Sequence, residues 1–346
     1  MAESKANGHD VIGIGASAGG FAALKALFAS LPRDLPASVL VALHTMETPQ
    51  SYLAELLSKA GPLPVAFGRD GERLRRGRIY LAPPDRHLLL DGERIRLGRG
   101  PHENGARPSV DSLFRSIAVC CGPRAIGVIL TGMLHDGSSG LYAIGRCGGV
   151  TVVQDPQDAE FPDMPRNALS EVEVRHVAPL RELGALLVKL AAEPAGHQEN
   201  VPPELRLEVE IAAGARQDYA PAAHLGEAAG FSCPYCHGAM WEIAEGDQIR
   251  YRCHLGHAFS AASLGSMMDD DILRALASAM RALSERAELI RRLGRQEEQA
   301  SRRELAKHWE KRSREYDEQA ALIRRLLLRM GDRASSEPQE STAAIA

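Results

Sequence analysis

The chain has 346 residues, of which 45% are hydrophobic and 25% charged, with a net charge of −4 and six cysteines. That length predicts two or three domains at ~100–200 residues each, with enough apolar residues for a proper core. The acidic balance argues against general nucleic-acid affinity, no run of about 18 apolar residues predicts membrane insertion, and the start Met-Ala-Glu-Ser-Lys lacks the apolar centre of a secretory signal. Cys233 and Cys236 stand three apart in a chain too long to need a disulfide scaffold, so that spacing reads as metal binding and the expected location is cytoplasmic.

The first informative run is Val11–Gly20, which begins as an apolar strand, passes Ser17 and ends in glycines; an amphipathic helix is expected over 21–31. Glycines let the backbone turn sharply and let a substrate come close. The helix start points unpaired N–H groups at the turn. On this run alone Ser17 reads as a helix cap, as part of a phosphate-binding turn or as a nucleophile.

The next predicted strand, 38–44, ends in His44. A dinucleotide fold calls for an acid at that end, and Asp34 lies before the strand instead. A neutral imidazole beside Ser17 suits a general base. Residues 69–107 carry ten arginines against six acids, read mainly as a solvated face, with Arg107 the best candidate for a basic rim that meets an acidic partner. The run 125–137 is again an apolar strand that enters a glycine-rich turn, and it carries Asp136. A carboxylate there either caps the following helix or orients His44. Three strand ends that supply Ser, His and Asp favour the second reading.

These segments resemble the catalytic domain of the bacterial chemotaxis protein-glutamate methylesterases of the CheB type. The resemblance rests on Gly15-Ala-Ser-Ala-Gly-Gly20, the strand ending in His44, Ile79-Tyr-Leu-Ala-Pro83, Arg107-Pro-Ser-Val-Asp-Ser-Leu-Phe114, Leu130-Thr-Gly-Met133 with Asp136-Gly137, and Gly149-Val-Thr-Val-Val-Gln-Asp155 with Met164-Pro165. It implies a three-layer α/β/α, doubly wound domain over 9–192 with a mostly parallel sheet. It also implies Ser17 as nucleophile, His44 as general base, Asp136 as orienting carboxylate and the Met133 N–H as an oxyanion donor, with Ala18 and Arg107 at the substrate. The implied reaction is hydrolysis of glutamate methyl esters on cytoplasmic chemoreceptor helices, with glutamine deamidation as a second activity and no cofactor for catalysis.

The sequence departs from the family pattern at Ala18, where Thr is usual, at Thr45, where Met is usual, and at Leu134 and His135, where a glycine is common. Typical members carry a receiver domain ahead of the catalytic segment. Ten residues precede Val11, so the expectation is either control by a separate regulatory protein or constitutive activity.

Residues 193–229 read as a linker. Next comes Cys233-Pro-Tyr-Cys236, then sixteen residues, then Cys253-His-Leu-Gly-His257. That spacing predicts a zinc-ribbon-like segment over 230–262 whose Cys233, Cys236, Cys253 and His257 hold a structural Zn²⁺ with no open position; the alternative is redox or spare thiols. A helical region is expected over 263–330. Ile272, Leu276, Met280, Leu283, Ala287 and Ile290 alternate steps of four and three, and Trp309, Tyr316, Ile323 and Met330 stand seven apart. Long amphipathic helices with a break near Gly294 follow, either as a hairpin on its own chain or as a seam for a homodimer or receptor bundle. Residues 331–346 read as a disordered tail.

Three rival functions remain at this point. One is a non-catalytic scaffold of a signalling array. Another is a dinucleotide-binding oxidoreductase, which lacks its acidic ribose partner. The third is nucleic-acid binding by the zinc-ribbon-like segment, which conflicts with the acidic balance.

Overall fold

The computed structural model describes residues 8–44, 51–196, 201–215, 221–246 and 248–336. In chain order the first part runs β1 (Val11–Ala16), α1 (Gly20–Ser30), β2 (Ser38–Leu43), α2 (Ser51–Ser58), β3 (Val65–Phe67), β4 (Arg78–Leu81), β5 (His87–Asp91), β6 (Arg94–Gly98), α3 (Val110–Cys121), β7 (Ala125–Ile129), α4 (Ser138–Arg146), β8 (Val150–Gln154), α5 (Asp163–Glu171), β9 (His176–Ala178) and α6 (Leu180–Ala192). There follow α7 (Pro203–Ala213), β10 (Glu227–Ser232), β11 (Ala239–Glu245), β12 (Gln248–Cys253), β13 (Ala258–Ser260), α8 (Ala261–Gln299) and α9 (Arg303–Ser336).

Seven strands form one sheet in the order β3-β4-β2-β1-β7-β8-β9, and every pairing is parallel. Strands buried on both faces read as near-continuous apolar runs, as β1, β2 and β7 do. One face packs α1 and α6 through Leu24, Leu27, Leu183 and Leu187, all fully buried. Each such side chain contributes about 1.5–3 kcal/mol. The other face packs α3, α4 and the antiparallel β5–β6 hairpin. The expected three-layer α/β/α arrangement is therefore present.

The chain leaves β1 for β2 on one side and returns to β7 on the other. That makes the carboxyl end of β1 the topological switch point, where open α/β sheets leave a crevice. A Cβ on Gly15 would stand 2.2 Å from Val110 Cγ1. The β1 glycines thus let α3 lie close on the sheet, which accounts for the dinucleotide-like spacing without a nucleotide.

The linker expected over 193–229 is corrected by α7, which buries Leu205, Glu208, Ile211 and Ala212. Its amphipathic stretch is short, and its decisive contact is ionic rather than apolar. Residues 230–262 do not stand apart either. They form a four-stranded antiparallel sheet, β10-β11-β12-β13, within a compact unit that extends to Leu264.

Six charged residues join that sheet to α3, to α7 and to the segment that precedes α3. Arg115 pairs with Glu103 and lies 3.4 Å from Glu208, Arg252 reaches Glu103 at 3.0 Å and Glu208 at 2.7 Å, and Arg250 reaches Glu208 at 2.6 Å and Glu245 at 2.7 Å. All six are buried. Burial alone would raise the Glu208 carboxyl, but Arg250, Arg115 and Arg252 outweigh it and hold it well below the usual range.

The second unit, Gly265 onward, contains most of α8 and all of α9. The break expected near Gly294 is corrected: α8 continues through it to Gln299, and the chain turns at Ser301, where φ is +60°. Gly294 instead allows close approach, since a Cβ there would meet Trp309 Cβ at 3.4 Å. Arg291 of α8 pairs with Asp317 of α9 at 2.8 Å, so the two helices form a hairpin on their own chain. Helix α9 runs six residues into the expected tail, and the rest of that tail lies outside the described residues. Among the described residues no helix is long and apolar enough to cross a membrane.

Candidate active site

Ser17, His44 and Asp136 follow β1, β2 and β7, three neighbouring strands at the switch point. The His44 Nδ1 stands 3.3 Å from Ser17 Oγ, and its Nε2 stands 2.8 Å from Asp136 Oδ2. Asp136 accepts, so Nε2 carries the proton and Nδ1 offers its lone pair to the hydroxyl. The imidazole is partly open to solvent and the carboxylate is buried.

Asp136 is heavily solvated by protein. Its Oδ1 accepts from Ser109 Oγ at 2.9 Å and the Asp111 amide at 3.2 Å, and its Oδ2 accepts from the Val110 amide at 2.6 Å. Burial pushes its pKa up; the His44 hydrogen bond and charge and these amides overcome that and hold it below the usual range. The neighbouring Asp111 goes the other way. Burial, and then the Asp136 charge, raise it well above the ordinary value. Asp136 is thus the carboxylate that stays ionised beside His44.

The turn around Ser17 is fixed from the β7 side. The Ser17 amide donates to the Thr131 carbonyl at 3.1 Å, and Thr131 Oγ donates to the Ala18 carbonyl at 3.1 Å. Gly132 lies against Ser17: a Cβ there would meet Met164 Sδ at 2.1 Å and Ser17 Cβ at 2.9 Å. Gly19 holds a φ of +72° at the start of α1, and no side chain caps that helix. Met133, next to Gly132, is exposed, so this edge of the site faces solvent.

Leu134 sits at φ +68°, which explains why a glycine suits the turn. His135 lies 3.9 Å from Glu171 of α5. Thr45 lies outside the described residues. Arg107 is committed elsewhere, with its Nε donating to Asp85 and its Nη1 to the Gly100 carbonyl, each at 2.8 Å. Several other arginines of 69–107 are also paired: Arg73 with Glu93, Arg76 with Asp10 and Arg78 with Glu72. The basic stretch is therefore in part a paired surface.

Sequence reasoning passed over Ser109, Asp111 and Asn104. The first two lie inside the matched run 107–114, and that run was their signal. Asn104 had none.

The CheB methylesterase family model matches residues 12–187, just over half of the chain, with the relay residues inside it. The chain belongs to the CheB methylesterase family. Among curated relatives, a protein-glutamate methylesterase/protein-glutamine glutaminase of Geobacter metallireducens is 39% identical over 184 residues, 53% of each chain. One of Myxococcus xanthus is 40% identical over 178 residues, 51% of this chain and 50% of the relative. The chain thus matches about half the length of these relatives. The crystal structure of the Thermotoga maritima CheB methylesterase catalytic domain matches with a TM-score of 0.51 and 30% identity, over 52% of this chain and 98% of that one. The CheB likeness therefore covers the seven-stranded body and leaves β10–β13 and the hairpin unmatched.

In that unmatched part Cys233, Cys236, Cys253 and His257 bring their ligand atoms within 4.8 Å of one another. The His257 Nδ1 is 3.3 Å from Cys253 Sγ and 3.7 Å from Cys233 Sγ, and Cys236 and Cys253 sulfurs are 3.5 Å apart. Ligands around a tetrahedral zinc stand about 3.5–4 Å from one another at the usual Zn–S and Zn–N lengths, so the donor set fits that ion. His237 and His254 are not in the cluster.

Proposed function

We propose that the protein hydrolyses the γ-methyl esters of glutamate side chains on chemoreceptor helices, and deamidates glutamine at the same positions. The observation that carries this reading is the continuous hydrogen-bonded line Ser17 Oγ, His44 Nδ1, His44 Nε2, Asp136 Oδ2 at 3.3 and 2.8 Å.

His44 takes the Ser17 proton on Nδ1 as Oγ attacks the ester carbonyl. Asp136, kept ionised, steadies the imidazolium. The Met133 N–H and the amides at the start of α1 hold the oxyanion. Collapse of the adduct breaks the C–O bond to methoxide, which leaves as methanol with the proton from His44. Water then attacks the acyl-enzyme, with His44 again as base, and frees the glutamate carboxylate. For an amide substrate the leaving group is ammonia.

A structural Zn²⁺ held by Cys233, Cys236, Cys253 and His257 would lock the two Cys-containing turns together and take no part in the chemistry. The setting proposed is the cytoplasm, with a separate regulatory protein as the source of control.

The test is methanol release from methyl-labelled chemoreceptor membranes. Wild-type protein should release methanol, and Ser17→Ala should be slower by ~10⁴–10⁶-fold, the scale for a lost nucleophile. An unchanged rate in the variant would exclude this mechanism.

A further inference from the structure

The four-stranded sheet β10–β13 touches the catalytic carboxylate through one side chain. Asn104 lies on the segment between β6 and α3, with its backbone at φ +48°, a region that Asn tolerates better than most residues. Its amide N–H donates to the Ala258 carbonyl at 2.8 Å. Its side-chain Oδ1 accepts from the Ser260 amide at 2.9 Å. Both partners belong to β13. With Oδ1 fixed in this way, the Nδ2 group is aimed the other way. It donates to Asp111 Oδ2 at 2.8 Å and to Asp136 Oδ1 at 3.4 Å. One neutral amide therefore stands between two buried carboxyl groups.

The same contact anchors more than one bond. Glu103, the preceding residue, is tied to Arg252 of β12 and to Arg115 of α3. A few residues on, Ser109, Val110 and Asp111 supply three of the donors to Asp136. So β12 and β13 hold, at residues 103 and 104, the segment that cradles the carboxylate. An unsatisfied buried carboxylate oxygen is costly, and a misaimed one misplaces His44.

We propose that β10–β13 is part of the catalytic apparatus and that Asn104 is a positioning residue, which transmits the hold of β13 to Asp136 and hence to His44. This rests on the reading of Ser17, His44 and Asp136 as the hydrolytic relay.

The test uses the full-length protein and two readouts that need no receptor. One is the rate at which a fluorophosphonate labels Ser17, located by mass spectrometry. The other is the low-field proton resonance of the His44 Nε2–H. Asn104→Gly removes the amide but keeps the backbone conformation free of strain, and Asn104→Ala is its companion. Ser260→Pro removes the donor that β13 gives to Oδ1. Thermal unfolding checks that each variant is folded.

The expected result is about tenfold slower labelling in all three, a shifted or broadened low-field resonance, and little further loss when Asn104→Gly and Ser260→Pro are combined, since both act through one contact. Wild-type labelling and an unmoved resonance in Asn104→Gly would overturn the positioning role while leaving the relay intact. Full additivity of Asn104→Gly and Ser260→Pro would overturn the route through β13. A wild-type protein that never labels at Ser17 would overturn the relay reading itself, and the proposal with it.

Discussion

Ser17 owes its position to what its neighbours lack. Gly132 brings the β7 turn against the Ser17 Cβ, and Met164 fills the other side. Gly132→Ala should push the serine off line without unfolding the sheet, and a misplacement of about 1 Å costs on the order of 10²-fold in rate. The check is Ser17 labelling beside a thermal melt; a normal rate with a normal melt would mean the turn can shift aside. Asp136 and Asp111 show how neighbours divide roles. The donors to Asp136 include His44, whereas Asp111 is sealed against α4 by the Gly137 and Gly140 amides. The meeting of Ser17, His44 and Asp136 was legible because each follows a parallel strand, Ser17 and Asp136 beside glycines and His44 at the end of an apolar run. Asn104 was not, because its partners lie 7, 32 and 156 residues away.

Buried histidine in β5 gives the fold a pH dependence. His87 Nε2–H donates to the Pro101 carbonyl at 3.0 Å, and its Nδ1 accepts from the Ser109 amide at 3.3 Å. Burial brings its pKa down from 6.5 to about 4. An unfolded chain therefore binds more protons than the folded one between those values. The stability carried by neutral His87 is complete above pH 6.5 and is lost as pH falls toward 4, about 2.5 kcal/mol by pH 4.5. His9 shifts in the same direction, also chiefly through burial. Urea unfolding at pH 7.5 and 4.5 should show this loss in the wild type and a smaller one in His87→Gln. Equal losses in the two proteins would mean that His87 is not the titrating group. Among the helices, α8 and α9 were legible from their periodicity, but the turn was not. A helix tolerates one glycine at a cost of ~1 kcal/mol, and the bend fell instead at Ser301.

At the scale of the molecule, the catalytic body does not end where the family match ends. Glu208 of α7 is buried against Arg115, Arg250 and Arg252. A chain cut at residue 195 would leave Arg115 with Glu103 and the Ser139 hydroxyl but without Glu208, and would strip Glu103 of Arg252; breaking a buried ion pair costs about 3–5 kcal/mol. A chain cut at 264 keeps the whole network, and residues up to Leu264 form one compact unit. The shorter chain should therefore melt well below the longer one or fail to stay soluble, as scanning calorimetry would report. Equal melting temperatures would mean that the network adds nothing to stability.

The parallel α/β body, the strand ends that bring Ser17, His44 and Asp136 together, the metal-type Cys/His spacing and the long helices were all legible in the chain alone. Each of these is written in local periodicity, or in glycine, cysteine and histidine at fixed offsets along the chain. That α7 is core, and that β10–β13 belongs to the same body as Ser17, His44 and Asp136, emerged from the fold alone. The same is true of Asn104, which bridges Asp111 and Asp136. Those features depend on charges and amides that meet across long stretches of sequence, and a buried ion pair leaves no period in the chain. An arginine or glutamate reads as surface until the fold shows what covers it.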